Sequence, residues 1–486
     1  MGRAPPGALF LTPVEPRPVS RKKKLLIALA ATPALAAALF VLLIGPWPTY
    51  GDSQYARQAY YRDAMAAIGD AAAENTLSAD PDRLRAGWAK RPITPPVGTP
   101  LGGYSGRAGG KNSTGVRDEL YVRALALSDG VDVAVLVGSD MLIIPPNLSG
   151  AVREKVAAGA GLSERQILFN ASHTHCGPGA FMPGLISRIS GGDFDPGLID
   201  MLVARFTEAV LEALDRLEPA ALASGSVDAP QYIRNRVRDG APVDPELSFL
   251  IVRQDGGDTV CLASYSAHPT IFGARMMEFS AEYPGELMRF IEAETDMEAH
   301  YLGGAVGSMA PRAPEGDDED GRVVAMGRAL GRLILENSGD LEFRNALDIA
   351  SVGIPVGMPE FQLRPSEKHP NWRVSPFLAR FAGLKREGWI HGVRVGDLFF
   401  AGMPFDFCGE TSVEWKRWAE GQGLALWTLS FCATYCGYLS PDKYYMDTPL
   451  NYETGLMSWF GPNVEAYFTE LFQEMAAALR APEGGH

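Results

Sequence analysis

The apolar positions of this chain follow three kinds of pattern, and the pattern changes along its length. From residue 25 to residue 44 no side chain is charged, about the 20 residues that a helix needs to cross a bilayer. Further on, short apolar runs of strand length stand at 133–137, 167–169 and 260–264. Longer stretches with helical spacing of apolar residues alternate with them at 148–158, 198–217 and 285–294, and a helical tail covers 464–479. This alternation predicts an α/β fold, mixed β-sheets flanked by helices, preceded by one N-terminal transmembrane helix. Residues 52–75, rich in alanine with polar and apolar positions interleaved, predict a helix leading off the membrane.

The charges around the first apolar run give it a direction. Arg21, Lys22, Lys23 and Lys24 precede it, with Arg3 and Arg17 further upstream, so the N-terminus is expected in the cytoplasm and the rest of the chain outside it. Trp47 and Tyr50 follow at interfacial depth. Ala34-Leu35-Ala36 offers the small residues of a cleavage site, but residues 39–44 continue apolar beyond it. An uncleaved signal anchor in the cell membrane is therefore the reading preferred over a removed signal peptide, with a buried core helix as the plain alternative.

Composition narrows the classes. A chain of 486 residues with 46% hydrophobic content can bury a large core in one or two domains. Its net charge of −14 argues against nucleic acid, which demands clustered Lys and Arg. Five cysteines without a Cys-x-x-Cys pair indicate neither a zinc ribbon nor a disulfide scaffold. The acidic run Asp317-Asp318-Glu319-Asp320 reads as a solvated turn, with an additional structural Ca²⁺ or Mg²⁺ site as the minority alternative.

The chemistry concentrates at strand ends. Two of the seven histidines, His173 and His175, stand one residue apart after the run 167–169 and just before Gly177-Pro178-Gly179. Alternate residues of an extended segment share a face, so both imidazoles can serve one cleft. Taken alone, the pair balances a metal site against two hydrogen-bonded structural histidines. A third histidine, His268, again follows a strand-like run, and Asp406 follows the apolar residues 398–401 between two aromatics, where an unpaired carboxylate would be costly. Cys176 and Cys408 lie beside these positions, as soft donors or, more commonly, as small buried hydrophobes. The segments Tyr435-Cys436-Gly437-Tyr438, Asn451-Tyr452-Glu453 and Trp459-Phe460-Gly461-Pro462 complete the series.

In this order the segments resemble the neutral (alkaline, non-lysosomal) ceramidase family, zinc amidases that cleave the N-acyl bond of ceramide. The opening 87–98 with Gly102-Gly103-Tyr104 agrees, although Pro92 stands where the family usually has Asp. Leu120-Tyr121-Val122-Arg123-Ala124 and Ile233-Arg234-Asn235-Arg236 agree as well, and Ser280-Ala281-Glu282 carries Glu for the family's Asp. The resemblance runs colinearly from about residue 85 to 480 and implies the family's catalytic fold there. It divides the chain into a basic, Pro-rich cytoplasmic tail (1–24), the signal anchor (25–46), a juxtamembrane linker or helix (47–84) and the zinc hydrolase domain (85–480). The family's C-terminal β-sandwich is not expected here, since only a helical tail follows Pro462.

Carried over by position, the resemblance implies one Zn²⁺ held by His173, His268, Asp406 and Tyr438, with Asp406 replacing the usual Glu and Glu410 as the nearest alternative carboxylate. Such a mixed nitrogen and oxygen set suits zinc. His175, Arg236 and Tyr452 fall on positions used around the substrate amide. The family's catalytic serine is replaced by Ala310, and Ser308 occupies the family's Asp position two residues earlier; both fall at the substrate. The implied activity is a membrane-anchored amidohydrolase acting on a ceramide-like or other N-acyl lipid through metal-activated water rather than an acyl-serine, in the direction of hydrolysis or of its reversal. Ala310 keeps open a zinc hydrolase of another amide or ester. A catalytically silent lipid-binding or assembly protein is the third alternative, and it leaves the retained ligands unexplained.

Overall fold

The computed structural model describes residues 20–45, 54–76, 83–107, 111–445 and 451–480. Its large sheet contains eight strands: β1 (Arg85–Pro92), β2 (Tyr121–Ser128), β3 (Val133–Ser139), β4 (Ile167–Ala171), β5 (Glu218–Asp228), β6 (Glu246–Gln254), β7 (Thr259–Tyr265) and β8 (Glu298–Gly303). Their spatial order is β8-β7-β6-β5-β1-β2-β3-β4. The outer pairs β3/β4 and β7/β8 are parallel, and the rest are antiparallel. A second sheet of four strands, β9 (Ile349–Gly357), β10 (Glu387–Val395), β11 (Leu398–Gly402) and β12 (Ala425–Leu429), runs in that order.

Side-chain alternation explains how the sheets stack. Along β2, Val122, Ala124 and Ala126 point into one core while Leu125 and Leu127 point into another; β3 divides Val135 and Val137 from Ala134 and Leu136 in the same way. A strand with both faces buried reads as a continuous apolar run, which is the pattern these segments show. The Leu125 face meets Val393, Phe400, Trp427 and Leu429 of the smaller sheet. On the opposite face, helices Pro146–Ala160 and Pro196–Asp215 cover the β1 to β4 half. Helices Glu282–Glu294 and Glu319–Glu336 cover the other half. The outer face of the small sheet is covered by helices Ala59–Ala72, Gly409–Glu420 and Val464–Ala478. The layers are thus helix, sheet, sheet, helix, the mixed architecture expected from the sequence.

The two outer strands of the large sheet, β4 and β8, approach one another through a side chain. Asn170 Nδ2 donates to Gly303 O (3.1 Å) and Gly303 N donates to Asn170 Oδ1 (2.6 Å), so the carboxamide stands in for a peptide group between them. The same Nδ2 also donates to Ser430 O, just past β12, at 2.7 Å. The loops that follow β4, β7, β8, β11 and β12 are thereby gathered at one end of the sandwich.

The predicted strands and helices are present with shifted bounds: the strands are lengthened, whereas helices Pro196–Asp215 and Val464–Ala478 stop one or two residues short of their expected ends. The helix expected to lead off the membrane is Ala59–Ala72, and it is docked on the domain: Ala64 and Ile68 are buried, and Tyr55 and Tyr61 donate to Glu470 at 2.5 and 2.6 Å. The apolar N-terminal segment forms the helix Arg21–Leu43, with no buried residue and a mean hydropathy of 2.5 over its most apolar window. Ser20 caps it by accepting from Lys23 N. Immediately after it, Ile44–Gly45 pairs antiparallel with Arg373–Val374. The tail before Ser20, Trp47 and Tyr50 lie outside the described residues. All five cysteines are free and buried. In the acidic run, Asp318 caps the helix Glu319–Glu336, Asp320 pairs with Arg117, and Glu319 accepts from Gly273 N, so these three carboxylates are committed to protein groups.

Candidate active site

Three histidines from two strand ends converge where the sheets meet. His173 follows β4 with φ 68°, a left-handed conformation that costs a non-glycine residue of order 1 kcal/mol and tends to mark functional sites. The surroundings hold it there. Its Nδ1 faces Leu142 O at 2.6 Å, and its ring stacks on Phe431 at 4.0 Å with 6° between planes. His268, just past β7, turns its Nδ1 toward Val306 O at 3.3 Å. A ring nitrogen beside a carbonyl carries the proton, so the Nε2 lone pairs of both residues point into the shared space. His175 Nε2 enters the same space, 2.9 Å from His268 Nε2 and 3.3 Å from His173 Nε2.

Asp406 supplies the fourth group. It begins the short strand Asp406–Phe407, four residues past β11, and pairs in register with Tyr438. Its Oδ2 accepts from Tyr435 at 2.7 Å. Its Oδ1 lies 3.3 Å from His173 Nε2 and, though buried, accepts no hydrogen bond. Burial pushes this carboxyl up to about 7, against the hydrogen bonds from Tyr435 and Tyr438 and the attraction of Arg236, which pull it down. The imidazoles shift the other way. Burial lowers His173 to about 3, and burial together with Arg236 and the neighbouring rings lowers His175 and His268 well below the ordinary histidine range. The site therefore holds neutral nitrogen donors and a partnerless carboxylate oxygen, an electron-rich set that a divalent cation would satisfy.

The spacing has the scale of a four-coordinate divalent cation site, zinc serving as the example. Zn–N bonds of about 2.0–2.1 Å in a tetrahedron imply ligand–ligand edges of about 3.3–3.4 Å. Two separations here, His173 to His175 and His173 to Asp406, are 3.3 Å, and the third, at 2.9 Å, is compressed. All four residues assigned to the metal by resemblance, His173, His268, Asp406 and Tyr438, are brought together. His175, assigned to the substrate, also comes within ligand reach, and among the described residues His173, His175 and His268 form the cluster suited to a metal ion.

Arg236 closes one side. Its Nη2 donates to Gly307 O (2.8 Å) and Tyr438 Oη (3.1 Å), while its Nε pairs with Glu453 Oε1 at 3.1 Å. Glu282 steadies the loop after His268, accepting from the backbone nitrogens of Ile271, Phe272 (3.2 Å) and Tyr283 (2.7 Å). Tyr104, in the Gly-Gly-Tyr element, lies against the His175 ring at 4.6 Å. Ala310 sits buried in the strand Met309–Pro311, opposite Arg234. Ser308 Oγ donates to Glu410 Oε2 at 2.5 Å, and Asn235 holds the other carboxylate oxygen at 2.6 Å. Glu410, the alternative ligand, is thus engaged with Ser308 and Asn235. Tyr452 opens the short helix Tyr452–Gly455, and its side chain lies outside the described residues.

Two participants carried no assigned role in the sequence reading. Tyr435 orients Asp406, and Glu453 anchors Arg236. Both stand within three residues of assigned positions, but neither partner is local in sequence, so spacing alone could not identify them.

Comparison with curated proteins finds no match. Among solved structures, the chain is similar to the neutral ceramidase from Pseudomonas aeruginosa, with TM-score 0.70, 19% identity, and coverage of 84% of this chain and 76% of that one. A ceramidase complexed with C2 gives TM-score 0.70 and 19% identity over 83% and 77%. These likenesses establish the fold. Residues 85–298 match the family described as neutral/alkaline non-lysosomal ceramidase, N-terminal, the family that the motifs of this chain resemble.

Proposed function

We propose that this chain is a membrane-anchored, zinc-dependent amidohydrolase that cleaves, or reversibly forms, the N-acyl bond of a ceramide-like or other N-acyl lipid. One observation supports it above the rest: two carbonyl-anchored histidines direct their Nε2 lone pairs toward the same point as the partnerless Oδ1 of Asp406. The names of the structural relatives supply the substrate class. When bound, the ion would polarise the amide carbonyl and bring a water's pKa down toward about 7.

The remaining work falls to the chain's own residues. His173, His268, Asp406 and Tyr438 would hold the ion. Arg236, braced by Gly307 O and Glu453, presents its guanidinium where negative charge on the amide oxygen would gather. His175 keeps a buried Nδ1 without a partner, which places it to pass a proton toward the departing amine. Tyr452 would help to orient the amide. Neither position supplies a nucleophile: Ala310, at the family's serine position, has no hydroxyl, and that of Ser308, at the family's Asp position, is bound to Glu410. Water is then the attacking group. Ala310 also favours a second reading, the same site turned to a different amide or ester.

Metal analysis of the purified full chain, paired with turnover of ceramide and a panel of other N-acyl lipids and esters, tests these readings. About one zinc per chain with ceramide turnover supports the first, and turnover of another substrate supports the second. Zinc without any turnover would indicate a silent lipid-binding protein. Reporter fusions test the address: activity of an extracytoplasmic reporter after His486 and a cytoplasmic one before Arg17 is expected.

A further inference from the structure

The segment between β9 and β10 carries two large aromatic side chains that the domain does not cover. Phe377 and Phe381 are 69% and 80% exposed, on the short helix Pro376–Phe381, which is fixed to the domain through buried Ala379 and capped by Ser375. Four residues apart on a helix, the two rings share one face. Exposed Lys368 and Lys385 flank the segment. Single exposed apolar residues are ordinary, but two paired phenylalanines on a fixed helix are not.

Their position says what would cover them. The helix Arg21–Leu43 ends against this segment: Ile44 and Gly45 pair with Val374 and Arg373, Ser375 N donates to Leu43 O at 2.7 Å, and Phe40 lies 5.7 Å from Trp372. Strand directions place the segment at the end of the small sheet that also carries Asp406. Asp406 follows the C-terminal end of β11, and β10 runs antiparallel to β11, so the loop entering β10 lies at that same end. Contacts continue inward from there. Val374 N donates to Leu363 O, Gln362 N donates to Trp459 O at 2.7 Å, and Trp459 packs edge-on against Tyr435, which holds Asp406.

We infer that residues 372–381 form a second, interfacial membrane contact: Phe377 and Phe381 dip into the headgroup and acyl boundary beside the exit of the apolar helix, turning the metal-site end of the domain toward the lipid surface. This rests on reading Arg21–Leu43 as membrane-spanning. Aromatic residues favour that depth, and flanking lysines favour anionic headgroups. A substrate whose acyl chains stay in the bilayer would then meet the site without crossing water.

Because every native cysteine is buried, the full chain can be labelled at single new cysteines: Phe377→Cys, Phe381→Cys, Leu35→Cys within the apolar helix, and Val131→Cys. Val131 is exposed just before β3, whose direction, parallel to β4, puts it at the end away from His173. An environment-sensitive fluorophore is read in phosphatidylcholine/phosphatidylglycerol vesicles, with nitroxide-bearing lipid or aqueous iodide as quencher. Labels at 35, 377 and 381 should be quenched several-fold more by nitroxide lipid than the label at 131, and shielded from iodide. Quenching at 35 with labels at 377 and 381 as open to iodide as that at 131 overturns the inference while leaving the anchor intact. Shielding at 377 and 381 without nitroxide quenching assigns the face to a protein partner and overturns it too. Without quenching at 35, the spanning helix fails, and the inference that rests on it fails with it. In the variant Phe377→Ser/Phe381→Ser, turnover of vesicle-embedded substrate should fall about tenfold while that of a detergent-dispersed short-chain substrate is unchanged. An equal fall on both would count against the membrane role.

Discussion

Two buried polar clusters lie within a few residues of one another, and they are built on opposite principles. Around Asp244 every demand is met: Ser266 and Ser412 donate to its Oδ2 at 2.8 Å, and Lys416 reaches both oxygens at 2.8 and 3.0 Å. Burial alone would lower the Lys416 ammonium, but Asp244 and Glu246 together raise it. Around His173 the account is left open. Three imidazoles and a carboxylate face one another with donors missing, one of them on a left-handed backbone. Buried polar groups are normally satisfied, so an unsatisfied set is retained where chemistry or an ion requires it. The satisfied cluster, which ties Ser266 near His268 to helix Gly409–Glu420 past Asp406, is the scaffold that lets the other stay incomplete.

Breaking each cluster should separate these roles. The largest effect on activity is expected from His173→Ala/His268→Ala, which removes two nitrogen donors: bound zinc should disappear by metal analysis, turnover should fall on the order of a thousandfold or more, and thermal stability without added metal should change little. Full zinc occupancy in that variant would remove the site assignment. Asp244→Ala should do the reverse. It leaves Lys416 without its main partner, and such a loss costs about 3–5 kcal/mol in denaturant unfolding, while protein that remains folded keeps its metal.

Smaller effects sharpen the comparison. Arg236→Ala and His175→Ala should each lower turnover by roughly tenfold to a thousandfold. His175→Ala tests whether its nearness to the other rings means ligation: retention of most of the zinc assigns it to the substrate, and loss equal to that in His173→Ala makes it a ligand. Ser308→Ala should be mildest in activity, leaving turnover measurable at a stability cost of about 1–3 kcal/mol for the hydrogen bond to buried Glu410. A trapped acyl group on Ser308 would overturn the water mechanism. Ala310→Ser should keep or raise ceramide turnover if the pocket suits ceramide.

How much of this was legible in the sequence follows from how local each cause is. Strands β3, β4 and β7 and the long helices announced themselves because period and length are local properties. His173, His268, Asp406 and Tyr438 were legible as a set through the order of their motifs, and the structure gathers them. The docking of Ala59–Ala72 was not legible, since the segment has a helix pattern whether it lies on a membrane or on β9; its partners Ser351 and Glu470 lie hundreds of residues away. The commitment of Ser308 to Glu410 was hidden for the same reason, joining residues 102 positions apart. Nothing in the spacing of Tyr435 distinguished it from Tyr438; the strand register sets Tyr438 opposite Asp406, and only the folded site shows the Tyr435 hydroxyl serving Oδ2.

The carboxamide of Asn170 has a bearing on how such a site can change over generations. One side chain, three residues before His173, gauges the distance from β4 to β8 and to the backbone just past β12. Loops further out can lengthen, shorten or be exchanged for others with new substrate contacts without moving that gauge. Asn170→Asp would put an acceptor, or a charge, where both carbonyls need a donor, and the three strand ends would lose their common reference together. The candidate site can therefore keep its geometry while the loops around it change, provided this one amide is left alone.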